Sequence, residues 1–192
     1  MNKNKNNNKI VIVVNGAGGV GKDTVCEIIS KYYKAKNISA IDPIKKIAVY
    51  GGWEYGDKSL KARKLLSDIK RAFIEYNDLP LNYLLNEYSE FINGENEILL
   101  VHIREPEEIE KFKKNLTSDC ICLTLLITSN KSEGIVFGNA SDDGVANYNY
   151  DYIYENKTTL DELEKDFMDF FEPIINKLYE AYNKCIFDKS DN

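Results

Sequence analysis

A glycine-rich stretch set between a strand and a helix constrains this chain more than any other feature. Lys9 to Val14 is a short continuous apolar run ending in Asn15-Gly16, the pattern of a fully buried parallel strand. From Lys22 to Tyr33 apolar residues recur at Val25, Ile28, Ile29 and Tyr32, the helical period. Between them, Gly16-Ala17-Gly18-Gly19-Val20-Gly21-Lys22 fits G-x-x-x-x-G-K. Glycines let backbone N–H groups turn toward an anion, the helix N-terminus adds its dipole, and Lys22 adds a point charge. A triphosphate tail is the ligand this chemistry implies, and a tight turn without a ligand is the alternative.

The order of elements along the chain gives that stretch its setting. Ile38 to Ile41 reads as a second strand, and Asp42-Pro43 opens a helix to about Tyr50 with Asp42 as its N-cap. Asp57 to Tyr76 reads as an amphipathic helix with Leu60, Leu65, Leu66, Ile69, Phe73 and Tyr76 inward. Pro80 opens another, stopped by Gly94, with Leu84, Leu85, Tyr88, Phe91 and Ile92 inward. Glu97 to Ile103 is the third strand, followed by a helix from Pro106 to about Asn115. Asp119 to Thr128 and Tyr150 to Tyr154 complete five strands. Thr159 or Asp161 caps a long terminal helix, with Leu160, Leu163, Phe167, Phe170, Ile174, Leu178 and Tyr182 inward, which Pro173 is expected to kink or split.

Strands alternating with helices imply a three-layer α/β/α domain on a five-stranded parallel sheet. The pair of helices at about 52–94 is an insertion between strands two and three, beside the sheet edge where ligands bind. The polar, Gly-containing stretch 128–149 lacks periodicity and reads as a lid or binding loop. The chain from 10 to 192 is expected to be one domain after an Asn/Lys-rich disordered tail, 1–9.

Composition excludes other classes. No apolar run approaches the ~18 residues a membrane helix needs. The run Ile10 to Val14 is too short for a secretory segment, so the expected location is the cytoplasm. A net charge of −6 without a basic stripe argues against nucleic acid as the ligand and leaves small molecules. Cys26, Cys120, Cys122 and Cys185 have no zinc spacing, and reduced thiols are expected.

One position in the glycine-rich loop is unusual. The residue after the lysine is ordinarily Ser or Thr, a magnesium ligand. Here it is Asp23, followed by Thr24. A carboxylate can hold Mg2+ directly or through water, or can serve only the helix terminus.

Gly21-Lys22-Asp23-Thr24 resembles the phage-type deoxynucleoside monophosphate kinases and their relatives among the adenylate-kinase-like P-loop kinases. Further segments align in the same order: Ile41-Asp42-Pro43-Ile44-Lys45, Ile103-Arg104-Glu105-Pro106-Glu107-Glu108, Asn139-Ala140-Ser141-Asp142, and Tyr150 to Asn156 with Leu160 to Leu163 behind it. The resemblance spans Ile10 to about Phe171 and implies a P-loop NTPase fold, ATP with Mg2+ as cofactors, and phosphoryl transfer to a small phosphorylated acceptor. A (deoxy)nucleoside monophosphate is the first choice of acceptor. Dephospho-coenzyme A, or a weakly catalytic nucleotide sensor of the same fold, are the alternatives.

By the same resemblance, Gly16, Gly18, Gly19, Val20, Gly21, Lys22, Asp23 and Thr24 would cradle the donor phosphates, with Asp23 toward the metal. Asn156 and Lys157 would border the adenine. Asp42, Lys45, Arg104, Ser141 and Asp142 would face the acceptor, with Lys22, Asp23, Asp42 and Arg104 closest to the reacting groups. The residue-level alternatives are a helix cap for Asp42, a surface ion pair with Glu107 or Glu108 for Arg104, and a solvated side chain for Lys45. Arg63, Lys70 and Arg71 read as a solvated face.

Two departures bear on catalysis. His102 stands where the resemblance implies an Asp, and a neutral imidazole is a poor substitute for an oxygen ligand to a hard cation. It is expected to be either a satisfied core histidine or a substrate contact. Between Thr128 and Asn149 the only basic residue is Lys131, with Glu133, Asp142 and Asp143 acidic, whereas phosphoryl transfer draws much of its rate from positive charge.

Overall fold

A computed structural model of the chain describes residues 9–57, 59–118, 120–129, 145 and 148–190, with side chains as far as 181. In chain order the elements are β1 (Lys9–Asn15), α1 (Lys22–Tyr32), β2 (Ala35–Ser39), α2 (Asp42–Tyr50), α3 (Leu60–Asn77), α4 (Leu79–Asn93), β3 (Ile98–His102), α5 (Pro106–Lys114), β4 (Cys120–Thr128), β5 (Tyr152–Glu155) and α6 (Leu160–Ser190).

The strands form one parallel sheet in the order β2-β3-β1-β4-β5, so β1 lies at the centre. Its side chains alternate between two cores, as a strand covered on both faces requires. Ile10, Ile12 and Val14 join Val25 and Ile29 of α1 and Phe167 and Phe171 of α6 on one side. Val11 and Val13 join Leu84, Tyr88 and Phe91 of α4 and Ile109 and Phe112 of α5 on the other. These five β1 side chains are at most 1% exposed, and each contributes about 1.5–3 kcal/mol of burial. The fold is therefore the three-layer α/β/α P-loop arrangement expected.

Sheet order also locates the ligand edge. The chain leaves β1 for the β2–β3 side and later crosses back over β1 to β4, so the connection after β1 stands at the topological switch point. The register aligns the neighbouring strand ends there: Val14 opposite His102, Ser39 opposite His102, Asn15 opposite Leu126 and Thr128 opposite Glu155.

Several local expectations are corrected. The second strand is Ala35–Ser39 rather than Ile38 to Ile41, because Lys36 and Asn37 pair in register with Leu99 and Leu100 although they are polar. β5 is Tyr152–Glu155 rather than Tyr150 to Tyr154, and the Asp151 N–H donates to Thr124 Oγ1 instead of joining the ladder. The helix expected from Asp57 begins at Leu60, where Ser59 Oγ accepts from the Ala62 N–H. Its inward face is also rotated: Ala62 is buried and Leu66 and Ile69 pack beside Trp53, while Leu60, Leu65 and Tyr76 are exposed.

Leu160 is likewise exposed, and α6 runs through Pro173 as one helix of 31 residues. Phe167, Phe171 and Ile175, at most 1% exposed, hold the helix on the sheet on both sides of the proline. Packing there outweighs the missing N–H. Cys26, Cys120 and Cys122 are free thiols, and the Cys185 side chain lies outside the described residues.

Of the helices between β2 and β3, α4 belongs to the sheet layer through Leu84, Tyr88 and Phe91. The small Ala48, Trp53 and Ala62 cluster beneath α3 is separate from both cores. Lys70 of α3 reaches back to Glu105 at 2.7 Å and Glu108 at 2.9 Å, next to Arg104. Its side chain is only 13% exposed, which corrects the expectation of a solvated lysine; Arg71 is exposed and pairs with Asp68 at 3.0 Å.

Candidate functional site

The glycine-rich loop leaves β1 through backbone that only glycine tolerates. Gly16 has φ 149°, and a Cβ on it would sit 2.4 Å from the Ile127 carbonyl oxygen of β4. The close approach of loop to sheet thus demands Gly16 on two counts. Gly21, the N-cap of α1, has φ 98°, and a Cβ there would meet Asn156 Nδ2 at 2.8 Å. The N-cap is a glycine, so no N-cap side chain accepts from the first-turn N–H groups of α1. A Cβ on Gly19 would meet nothing within 4 Å, which marks the open side of the loop.

Lys22 lies across the loop it terminates. Its Nζ donates to the Gly16 carbonyl at 2.6 Å and the Ala17 carbonyl at 2.7 Å. The ammonium is thereby folded back onto the loop backbone. Asp23 is exposed on the first turn of α1, and Thr24 beside it is half-buried.

Asp42 stands at the start of α2 beyond β2. It is the first helical residue, not the N-cap, which is Ile41. Its Oδ2 accepts from the Ser39 N–H at 2.8 Å, so the carboxylate closes the strand end rather than the helix end. Lys45 Nζ is 3.7 Å from Asp42 Oδ1 and lies over the Tyr55 ring, 5.8 Å from its centroid. Arg104 is exposed just beyond β3. Ser141 and Asp142 lie outside the described residues, as does most of 128–149.

On the far side, Asn156 follows β5 and packs on the loop. Its side-chain amide donates to the Val20 carbonyl at 3.1 Å and its backbone N–H to the Thr128 carbonyl at 2.8 Å. Its Oδ1 is buried without a hydrogen-bond partner. Lys157 is exposed and pairs with Glu155 at 2.6 Å.

His102 sits among these groups at the end of β3. Its Nε2 is 2.8 Å from Asn37 Oδ1 and 3.7 Å from Cys26 Sγ. Burial pushes the imidazole down to about 4, against the pull of Asp23 and Asp42, with Lys22 and Lys45 acting in the same direction as burial. Those four charges belong to the residues expected on the donor side (Lys22, Asp23) and on the acceptor side (Asp42, Lys45), and all four act on this one ring. Burial also pushes the Cys26 thiol up to about 12, so it remains a thiol. His102 thus has intramolecular partners for Nε2, on a ring that is half-buried at the sheet edge rather than seated in the core.

A stability test follows from this burial. Below the ordinary histidine range the unfolded chain takes up a proton that folded His102 refuses until about pH 4. Its contribution is present above that range and is lost as pH falls through it, by at most about 3 kcal/mol. His102→Asn should therefore flatten the fall in melting temperature between roughly pH 6.5 and 4.5 relative to wild type. Parallel slopes for the two proteins would show that His102 does not titrate in this way.

Two residues of the site have no role that a motif implies, although Tyr150 opens one of the aligned segments. Asn15, 1% exposed, accepts from the Gly16 N–H at 2.8 Å through Oδ1. Its Nδ2 donates to the Arg104 carbonyl at 3.0 Å and to the Tyr150 hydroxyl at 2.7 Å. Tyr150 in turn donates to the Val145 carbonyl at 2.9 Å, and burial pushes its phenol up to about 12. The Asn-Gly pair reads in sequence as a strand end, and Tyr150 as a strand residue, so only the three-dimensional contact reveals them.

No family model matches the chain, and no curated protein matches it. Among solved structures it is similar to TT1252 from Thermus thermophilus, at 18% identity over 89% of this chain and 98% of that one, with a TM-score of 0.47. It is also similar to a gluconokinase from Sinorhizobium meliloti 1021, at 12% identity over 91% and 97%, with a TM-score of 0.48. A third is the Mycobacterium tuberculosis APS kinase CysC in complex with AMPPNP and APS, at 12% identity over 86% and 98%, with a TM-score of 0.42.

Proposed function

We propose that this chain is an ATP-dependent kinase that transfers a phosphoryl group to a small phosphorylated acceptor, a (deoxy)nucleoside monophosphate. The observation that carries the reading is the loop from Gly16 to Lys22: a helix N-terminus with a glycine N-cap at the switch point of a parallel sheet, with the Lys22 ammonium folded back onto the loop backbone. Asp42, Lys45 and Arg104 stand at the adjoining strand ends and supply the acceptor side.

In this reading Lys22 exchanges two carbonyl oxygens for phosphate oxygens, and the backbone amides of α1 and Thr24 hold the rest of the tail. Arg104 takes the acceptor phosphate, since a planar fork of donors suits that group. Asn156 and Lys157 border the base. Such catalysis is positioning and charge neutralisation rather than covalent chemistry by the protein.

Magnesium fits the donor set in a limited form. Among the described residues no cluster of three acidic, His or Cys side chains is placed to hold a metal alone. Magnesium ordinarily takes one or two carboxylates and completes its shell with phosphates and water. Asp23, exposed at the first turn of α1, is the carboxylate available. The bound ion would neutralise charge on the phosphates.

His102 favours a second reading, a nucleotide-binding protein whose transfer step is slow. The neutral ring offers no carboxylate oxygen where the resemblance implies one. An ADP-release assay across the nucleoside monophosphates, with dephospho-coenzyme A in the panel and Lys22→Ala as control, separates these readings. Acceptor-dependent release that Lys22→Ala abolishes is expected. Calorimetric ATP binding with no release on any acceptor transfers the chain to the second reading, and release only with dephospho-coenzyme A changes the acceptor.

A further inference from the structure

We infer that Asn15 and Tyr150 form a positioning pair that couples the phosphate loop to the Arg104 segment and to the chain entering β5, an inference that rests on the phosphate-binding reading above. Both hydrogens of the Asn15 amide are spent, one on the carbonyl of Arg104 and the other on Tyr150, and its oxygen accepts from the first N–H of the loop. Three chain segments far apart in sequence therefore share one side chain that is 1% exposed.

Tyr150 is the second half of the device. Its hydroxyl receives from Asn15 and donates to the Val145 carbonyl, and the buried phenol keeps its proton. Its ring packs edge-on against Tyr148, with centroids 5.0 Å apart, and Tyr148 is tied to Glu110 and Lys113 of α5. Buried hydrogen-bond networks of this kind have few alternative arrangements, because any broken link strands a polar atom without water. A change in the path of the phosphate loop at Gly16 is thus transmitted to the backbone that presents Arg104 and to the residues before β5. A structural pin for the strand end would need only one of these links; the junction has all of them at the candidate site.

Hydrogen exchange with and without ATP and Mg2+ tests the inference on the full chain. In wild type, nucleotide should slow exchange in the phosphate loop and also in the peptides carrying Ile103 to Glu105 and Tyr148 to Asp151. In Tyr150→Phe at saturating nucleotide, the loop and the Ile103 to Glu105 peptide, which Asn15 still holds directly, should remain protected while the Tyr148 to Asp151 peptide stays within about twofold of its nucleotide-free rate. A tenfold weaker ATP affinity, about the effect of one buried hydrogen bond, is expected alongside. Asn15→Leu, which removes both links, should release the Ile103 to Glu105 and the Tyr148 to Asp151 peptides together, and it carries the test if Tyr150→Phe does not fold.

Full nucleotide-dependent protection of all three peptides in a folded variant would overturn the coupling. So would exchange that is faster by the same factor with and without nucleotide, which is the mark of a merely structural role. If wild type shows no protection even in the loop, the phosphate-binding reading itself falls and takes this one with it.

Discussion

Lys22→Ala should lower affinity for ATP by about 10- to 100-fold, the range for one charge-assisted contact at a phosphate, while leaving the fold intact. Lys22 is half-buried, and its Nζ donates to two carbonyls of its own loop, Gly16 and Ala17. The stability cost is therefore small and the binding cost large. Isothermal titration of both proteins, with melting temperatures measured alongside, decides the matter. Affinity within threefold of wild type would mean that the loop does not hold the phosphates. Lys22→Gln, which keeps length and loses charge, should behave like the alanine variant if electrostatics carries the contact.

Gly16→Ala is the substitution expected to cost most in stability. A Cβ at this position would overlap the Ile127 carbonyl oxygen at 2.4 Å and crowd Val20 Cγ2 at 3.0 Å, in backbone with φ 149°. Ile127 lies within β4 and is fully buried, so its carbonyl cannot retreat without disturbing the sheet. Overpacking and backbone strain together cost about 2–4 kcal/mol. In a domain of this size that corresponds to a melting temperature lower by roughly 4–16 °C.

Gly19→Ala is the internal comparison. Its φ is 81°, yet a Cβ there meets nothing within 4 Å. Only the conformational strain applies, about 1 kcal/mol. Equal losses for the two variants would show that the contact with Ile127 is not the source of the effect.

Much of the fold could be read from local pattern because its elements bury continuous or periodic apolar faces. β1, β3 and β4 are near-unbroken aliphatic runs, and α1 and α4 carry their buried residues at helical spacing. The misreadings fall where packing, not pattern, decides. Leu60, Leu65 and Tyr76 form a plausible stripe on α3, but the short side chain of Ala62 is what lets that helix approach Trp53. Pro173 is tolerated because the aromatic residues around it are already seated on the sheet. Asp42 looks like a cap in sequence, yet the strand end behind it offers a nearer N–H at Ser39.

The opening stretch shows the same division. Residue order alone determined that Gly16 to Lys22 would join a buried strand to a helix with a glycine-rich backbone and one cation at the turn, because that geometry is local. Tertiary structure decided what surrounds it. Sheet order brings Asp42, Lys45 and Arg104 to the neighbouring strand ends, and burial between Asn37 and Cys26 makes His102 neutral. Asn15 and Tyr150, 135 residues apart, meet in a hydrogen bond that no spacing rule encodes. Such contacts depend on which strands become neighbours, and that is settled only when the two cores close on β1.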